Sequence, residues 1–332
     1  MKKILILLAV LLGLSAVAYY LQQEKSVDLM DTTDRQFAYA DRQDIGKIVL
    51  NKKGWREQEF EYKKRNWYLN GKKVADYKIT TLLKGITSTR VENLPPKEAY
   101  PTIKKSIKES GVHVEVYNRK GNKVRSYTIG PDAINDRCTY FMMDGHKTAY
   151  CMNIAGFGSV RTRFVQDEEE WWDVALYEVE ESDIESIKVE YNKDYTSSFE
   201  IKRNAGSYDV VDLGGKTKGQ TIDLNKVRAY LSEFRKLNGE GYDNTYMKRD
   251  SITKLLPFAT ISLTERTGDT KWIKLFPIAE LMDPADEAFD AEDALILDKY
   301  FVEVSTGDFM VAQQRLLQPV LRPYSYFLAE EQ

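Results

Sequence analysis

Apolar and polar residues alternate at period two along most of the chain, and the pattern sketches one set of elements twice. Phe60 and Tyr62 share a strand face, as Phe199 and Ile201 do. Strands are predicted near 46–51, 57–63 and 66–75, and again near 186–192, 197–204 and 207–213. After each set the period becomes helical. Ile79, Leu82, Leu83 and Ile86 form one stripe. Leu224, Val227, Tyr230, Leu231, Phe234 and Leu237 form a stronger one, with Asp223 placed to cap it and Gly239 to end it. Second helices are expected at 102–110, stopped by Gly111, and at 246–256, stopped by Pro257. Hairpins follow, 112–118 with 123–129 and 259–264 with 271–276. Closing strand pairs are predicted at 138–143 with 146–153 and at 294–297 with 300–304, each followed by a terminal turn or helix.

In places the doubling is literal. Asp44-Ile45-Gly46-Lys47-Ile48 returns as Asp183-Ile184-Glu185-Ser186-Ile187, an offset of 139 (183 − 44). Phe60-Glu61-Tyr62-Lys63 lies over Phe199-Glu200-Ile201-Lys202 at the same offset. The chain of 332 residues therefore reads as two tandem homologous repeats, 37–165 and 176–325. Each is an α+β module of antiparallel strands and hairpins with one or two helices. Between them, 166–175 is an acidic junction carrying Trp171 and Trp172. Those indoles are expected to pack between the repeats or to offer a partner contact, with the glutamates solvated.

Residues 1–23 suggest an address. Lys2 and Lys3 precede an apolar run from Ile4 to Leu21, which as a helix reaches about 27 Å at about 1.5 Å per residue. One reading is an uncleaved transmembrane anchor with Tyr19 and Tyr20 at the interface; the other is a signal cleaved after Ala16-Val17-Ala18. Both export the body, through a polar tether at 24–36. The expected place is a bacterial inner membrane, single-pass, with the N-terminus cytoplasmic and the body periplasmic.

The cysteines bear on that compartment. Cys138 and Cys151 are equidistant from Asp144-Gly145, a two-residue hairpin signal, which sets them directly opposite each other at about 4.5 Å between Cα atoms. A disulfide is the favoured reading, two buried thiols the other.

Composition removes several classes. A net charge of −3 with no basic face speaks against nucleic-acid binding. Two histidines, His113 and His146, leave little material for a metal or His-based catalytic site, and no cofactor is expected. Carboxylates concentrate at Glu168–Glu170 and from Asp283 to Asp293, and runs of this kind are usually solvated loops. Asn153-Ile-Ala-Gly156-Phe-Gly158 lacks the third glycine of a dinucleotide loop and reads as a turn. No catalytic residue is singled out.

The Lys-Lys-apolar start, the Asp-Ile-x-x-Ile opening of each repeat, the Trp67-Tyr68-Leu69 strand and the Leu82-Leu83 helix resemble the bacterial family called domain of unknown function 4340. The resemblance implies an exported, duplicated, membrane-attached protein, often encoded beside ABC transporter components of the gliding-motility type. It carries no catalytic residues. The leading expectation is a non-enzymatic scaffold or substrate-handling accessory subunit of an ABC-type transport complex, with a permease and ATPase as partners. The alternative is an envelope glycan- or small-molecule-binding module using a cleft between the repeats. A third class, an envelope hydrolase, would need two close carboxylates.

Overall fold

The computed structural model describes residues 35–134, 137–157, 159–215, 220–278 and 298–329. The chain separates into two compact units, with the division between Trp171 and Trp172.

Unit 1 is built on a nine-stranded antiparallel sheet. In chain order its strands are β1 (Ile45–Lys52), β2 (Gln58–Lys63), β3 (Asn66–Leu69), β4 (Lys72–Lys73), β5 (Arg90–Asn93), β6 (Val112–Asn118), β7 (Lys123–Asp132), β8 (Thr139–Met143) and β9 (Ala149–Asn153). In space the order is β4-β3-β2-β1-β6-β7-β8-β9-β5. Two helices cover opposite faces. On one face Tyr127, Phe141 and Tyr150 meet Phe37 edge-on, and Phe164 packs against Phe141. The helix Asp76–Thr87 approaches Phe164 closely at Gly85, where a Cβ would fall 2.8 Å from the ring. That approach offsets the roughly 1 kcal/mol a mid-helix glycine costs. On the other face Ile103 and Ile107 of the helix Tyr100–Ser110 pack on Ala149, Tyr140 and Met142. This helix stops at Gly111, where a Cβ would collide with the Ile107 carbonyl.

Unit 2 repeats the plan. Its strands are β10 (Ala175–Tyr177), β11 (Ile184–Tyr191), β12 (Phe199–Asn204), β13 (Ser207–Asp212), β14 (Leu237–Asn238), β15 (Gly241–Tyr242), β16 (Ala259–Glu265), β17 (Thr270–Pro277), β18 (Lys299–Val304) and β19 (Phe309–Gln313). The main sheet runs β13-β12-β11-β16-β17-β18-β19-β15, and β10 pairs with β14 apart from it. Strand for strand this is the order of unit 1 without β4. Even the irregularities match: a bulge separates Ile45 from Lys47 against β6, and another separates Ile184 from Ser186 against β16. The Arg119 amide donates to the Asp44 carbonyl, and the Arg266 amide donates to that of Asp183. The helix Leu224–Ser232 seats Val227, Tyr230 and Leu231 on one face, while Phe276, Phe301 and Phe309 on the other are covered by one turn at Arg249–Ile252.

Several expectations need correction. The α+β reading overstates the helices: the fold is dominated by antiparallel sheet, and three helices among the described residues exceed seven residues. The stripe through Leu237 is helical only to Ser232; a 3-10 turn follows, and Leu237 itself enters β14. The helix expected at 246–256 is one turn, since Met247, Leu255 and Leu256 are exposed and Ile252 alone anchors it. The final hairpin joins β18 to β19, a strand pairing beyond the expected closing pair, and 294–297 of that pair lie outside the described residues.

The echo of Phe60 in Phe199 is displaced in space. Phe60 pairs with Ile48, but Ile201 pairs with the equivalent Ile187, so Phe60 corresponds to Ile201. Two extra residues between β11 and β12 cause the shift, and period two keeps the face unchanged.

The transmembrane expectation is also corrected. The run Ile4–Leu21 lies outside the described residues. Among the described residues no helix is long and apolar enough to cross a membrane. The longest, with 12 residues, spans about 18 Å against a hydrocarbon core of about 30 Å. The single-pass, inner-membrane placement therefore receives no support from the fold.

Candidate functional site

Cys138 and Cys151 are joined by a disulfide with 5.4 Å between Cα atoms, but they are not directly opposed. Cys151 pairs with Tyr140 and Met152 with Thr139, which makes the bridge diagonal on one face. Asp144 explains the slip. A type I′ turn needs positive φ at both central residues, and only Gly145 has it, at +78°. The Asp144 carboxylate is instead held by His113 Nε2 at 2.8 Å and by the Ser126 hydroxyl.

That trio of Ser126, His113 and Asp144 contains the residue types of a hydrolytic triad without its geometry. Serine and aspartate both contact the same histidine nitrogen, Nε2, at 3.3 and 2.8 Å, and the serine hydroxyl donates to the aspartate directly. A triad needs the histidine to bridge the two through different nitrogens. The cluster ties the 143–148 connection to β6 and β7.

Glu168 accepts from Asn70 Nδ2 at 3.0 Å and lies 3.6 Å from Arg56. Asp283 to Asp293 lie outside the described residues. Burial raises the Asp243 carboxyl above the usual range, but a glycosidic mechanism needs a matched pair across a sugar. Among the described residues, no group of three or more His, Cys, Asp or Glu is placed to hold a metal ion.

The tryptophans of the 166–175 segment divide. Trp171 is fully buried within unit 1, edge-on to Phe60 at 5.0 Å, with its Nε1 donating to Gln58 Oε1 at 3.1 Å. Its carbonyl accepts from the Ala75 amide. Trp172 is half-buried and packs edge-on against Tyr242 of unit 2 at 5.1 Å. Trp171 is therefore a core residue without surface to offer a partner.

A cleft of about 460 Å³ in unit 1 combines apolar floor with charged rim. Ile45, Trp67, Ile79 and Leu83 line it from β1, β3 and the helix Asp76–Thr87, and all four are buried. Arg42 and Arg119 stand on the rim with Asp76. Arg119 lies over the Tyr62 ring, 4.6 Å from its centroid, and Tyr62 meets Trp67 at 5.6 Å. Arg42 Nη2 donates to the Thr80 hydroxyl at 3.2 Å.

Unit 2 fills the same place. Tyr62 pairs with Trp67 across the β2–β3 hairpin, and Arg203 pairs with Tyr208 across the β12–β13 hairpin, so Arg203 occupies the position of Tyr62. Its guanidinium donates to the carbonyls of Ile184 and Glu181 and to the Tyr208 hydroxyl. In unit 2 the position thus holds a guanidinium bonded to backbone carbonyls, and in unit 1 it holds an aromatic ring with Arg119 over its face. In a second cleft, beside Glu240, Asp298, Lys299 and Arg315 in unit 2, both cations are engaged: Lys299 with Glu240 at 2.9 Å and Arg315 with Gln313 at 2.6 Å.

The family described as domain of unknown function (DUF4340) matches residues 67–250, 184 of the 332 positions, and so reaches from β3 of unit 1 to the Arg249–Ile252 turn of unit 2. The chain belongs to the DUF4340 family. No curated protein and no solved structure matches it. Membership in DUF4340 agrees with the resemblance in the Trp67-Tyr68-Leu69 strand and the Leu82-Leu83 helix, both inside the matched span. The opening Asp-Ile-x-x-Ile of unit 1 lies before that span, whereas its copy at Asp183 lies within it.

Proposed function

We propose that this DUF4340 protein is a non-enzymatic, ligand-handling accessory subunit that works with a transport complex of the ABC type. The observation that supports the binding role is the divergence of the two copies at one structural position, Tyr62 in unit 1 and Arg203 in unit 2. The open cleft has the size of small-molecule sites, about 300–1,000 Å³, and joins a buried apolar floor to an exposed polar rim. The transport association follows from the resemblance and stands as a separate part of the proposal.

Affinity purification of the full chain from its native cells in mild detergent, followed by mass spectrometry, tests that part. A permease and an ATPase should be recovered in stoichiometric amounts. Recovery of the chain alone, under conditions that preserve other complexes, overturns the accessory role and leaves the binding role to direct titration.

A further inference from the structure

We infer that the unit 1 cleft takes a monoanionic carboxylate carried on an apolar body, an acyl or aryl carboxylate. The inference rests on the ligand-binding reading above and deepens it.

Charge sets the first part of the class. Arg42 and Arg119 against Asp76 leave the rim with one net positive charge, which suits a single carboxylate better than a dianionic phosphate. Guanidinium is the group that meets carboxylate in a planar, two-bonded fashion. Arg119 is already placed for it: stacked on Tyr62, it gives up less side-chain freedom on binding than a free arginine would. Arg42 is steadied by Thr80. Among the described residues, neither guanidinium forms an ion pair of its own.

The floor sets the second part. Ile45, Trp67, Ile79 and Leu83 form the buried base of the cleft, while Gln43, Tyr62 and Thr80 keep their polar groups at its rim beside the arginines, so the part of the ligand that reaches past the carboxylate toward the base is apolar. Unit 2 supplies a comparison inside the same chain. There the position equivalent to Tyr62 holds Arg203, whose guanidinium is directed to protein carbonyls.

The test is isothermal titration of the full chain with phenylacetate and octanoate, with phenylacetamide and octanamide as neutral counterparts, and with inorganic phosphate. Saturable binding is expected for at least one carboxylate, with its amide at least tenfold weaker and phosphate not saturating. Arg119→Met should weaken the carboxylate at least tenfold and bring it level with the amide, with circular dichroism unchanged. Arg42→Met serves as the second variant, since a fold defect at one position would not recur at the other. Equal binding of amide and carboxylate overturns the carboxylate class and leaves the cleft as a binding site. Absence of saturable binding by every probe to the wild-type chain overturns both the class and the binding role. Phosphate binding as tight as the carboxylate overturns the monoanion argument.

Discussion

Trp171→Phe should destabilise unit 1 by about 2–4 kcal/mol, and its coupling to Gln58 makes the reasoning testable in detail. The indole is fully buried, and its N–H is held by Gln58, which is 2% exposed and whose own amide donates to the Gln166 carbonyl at 3.0 Å. Phenylalanine removes the donor and part of the ring. The orphaned Gln58 oxygen costs about 1–3 kcal/mol, and the lost ring atoms and residual cavity about 1 kcal/mol more. Gln58→Met removes the acceptor instead and leaves the indole N–H and the Gln166 carbonyl without partners, again about 1–3 kcal/mol. In the double variant the Trp–Gln bond is lost only once. The combined effect should fall short of additivity by about 1 kcal/mol. Urea denaturation followed by far-ultraviolet circular dichroism, fitted with two transitions, reads this as a midpoint shift at constant slope in the transition of unit 1. Strict additivity, or a Trp171→Phe effect under about 0.5 kcal/mol, would refute the account of Trp171 as a buried, hydrogen-bonded anchor.

The other expectations can be checked with the same protein. Replacing both Cys138 and Cys151 with alanine opens a covalent loop with a sequence separation of 13 and should cost about 3 kcal/mol by the chain-entropy estimate, measured in the same urea experiment; a loss below about 1 kcal/mol argues against it. Asp223→Ala removes the side-chain bond to the Asn225 amide and should cost about 1 kcal/mol, with no change expected from Asn225→Gln. Glu115 is held below the usual carboxylate range by the hydrogen bond from Lys123 and then that from Tyr117. A depressed folded-state value means its contribution is present above the unfolded pKa of about 4.3 and lost as pH falls through the folded value. Glu115→Gln should therefore lower stability at pH 7 and have no effect at pH 2, and a penalty that persists at pH 2 would contradict the charge argument.

Local rules were legible where local residues obey them. Asp-Ile-x-x-Ile marks the start of β1 and of β11, and Asp223 caps its helix as its position suggested. Elsewhere distant partners overrule the local signal. Asp144-Gly145 reads as a tight hairpin, yet the Asp144 carboxylate is engaged by residues 31 and 18 positions away, and the register moves. Leu237 continues a helical stripe, but it leaves the helix to pair with Tyr177. The cleft had no sequence signal at all. Arg42 and Arg119 are ordinary exposed arginines in sequence, and the contrast of Tyr62 with Arg203 appears only once the two-residue displacement of β12 is known. Sequence echo alone had set Tyr62 over Ile201.

The strand order has a kinetic consequence. Each main sheet contains two meanders that zip locally, β1 to β4 and β6 to β9 in unit 1, joined along the seam between β1 and β6, while β5 is added at the β9 edge by a second long-range pairing, as β15 is at β19. That seam begins at Lys52 with Val112 in unit 1 and at Tyr191 with Ala259 in unit 2, closing loops of 60 (112 − 52) and 68 (259 − 191) positions. Local hairpins form in microseconds, whereas pairing across such loops is the slow part of sheet assembly. Because closure entropy grows only with the logarithm of length, the two loops differ by about 0.1 kcal/mol. The seam strands of both units, together with the β5 and β15 edges, should therefore dock after the meanders have formed, and during partial opening the seam is the line along which the two meanders of each sheet come apart.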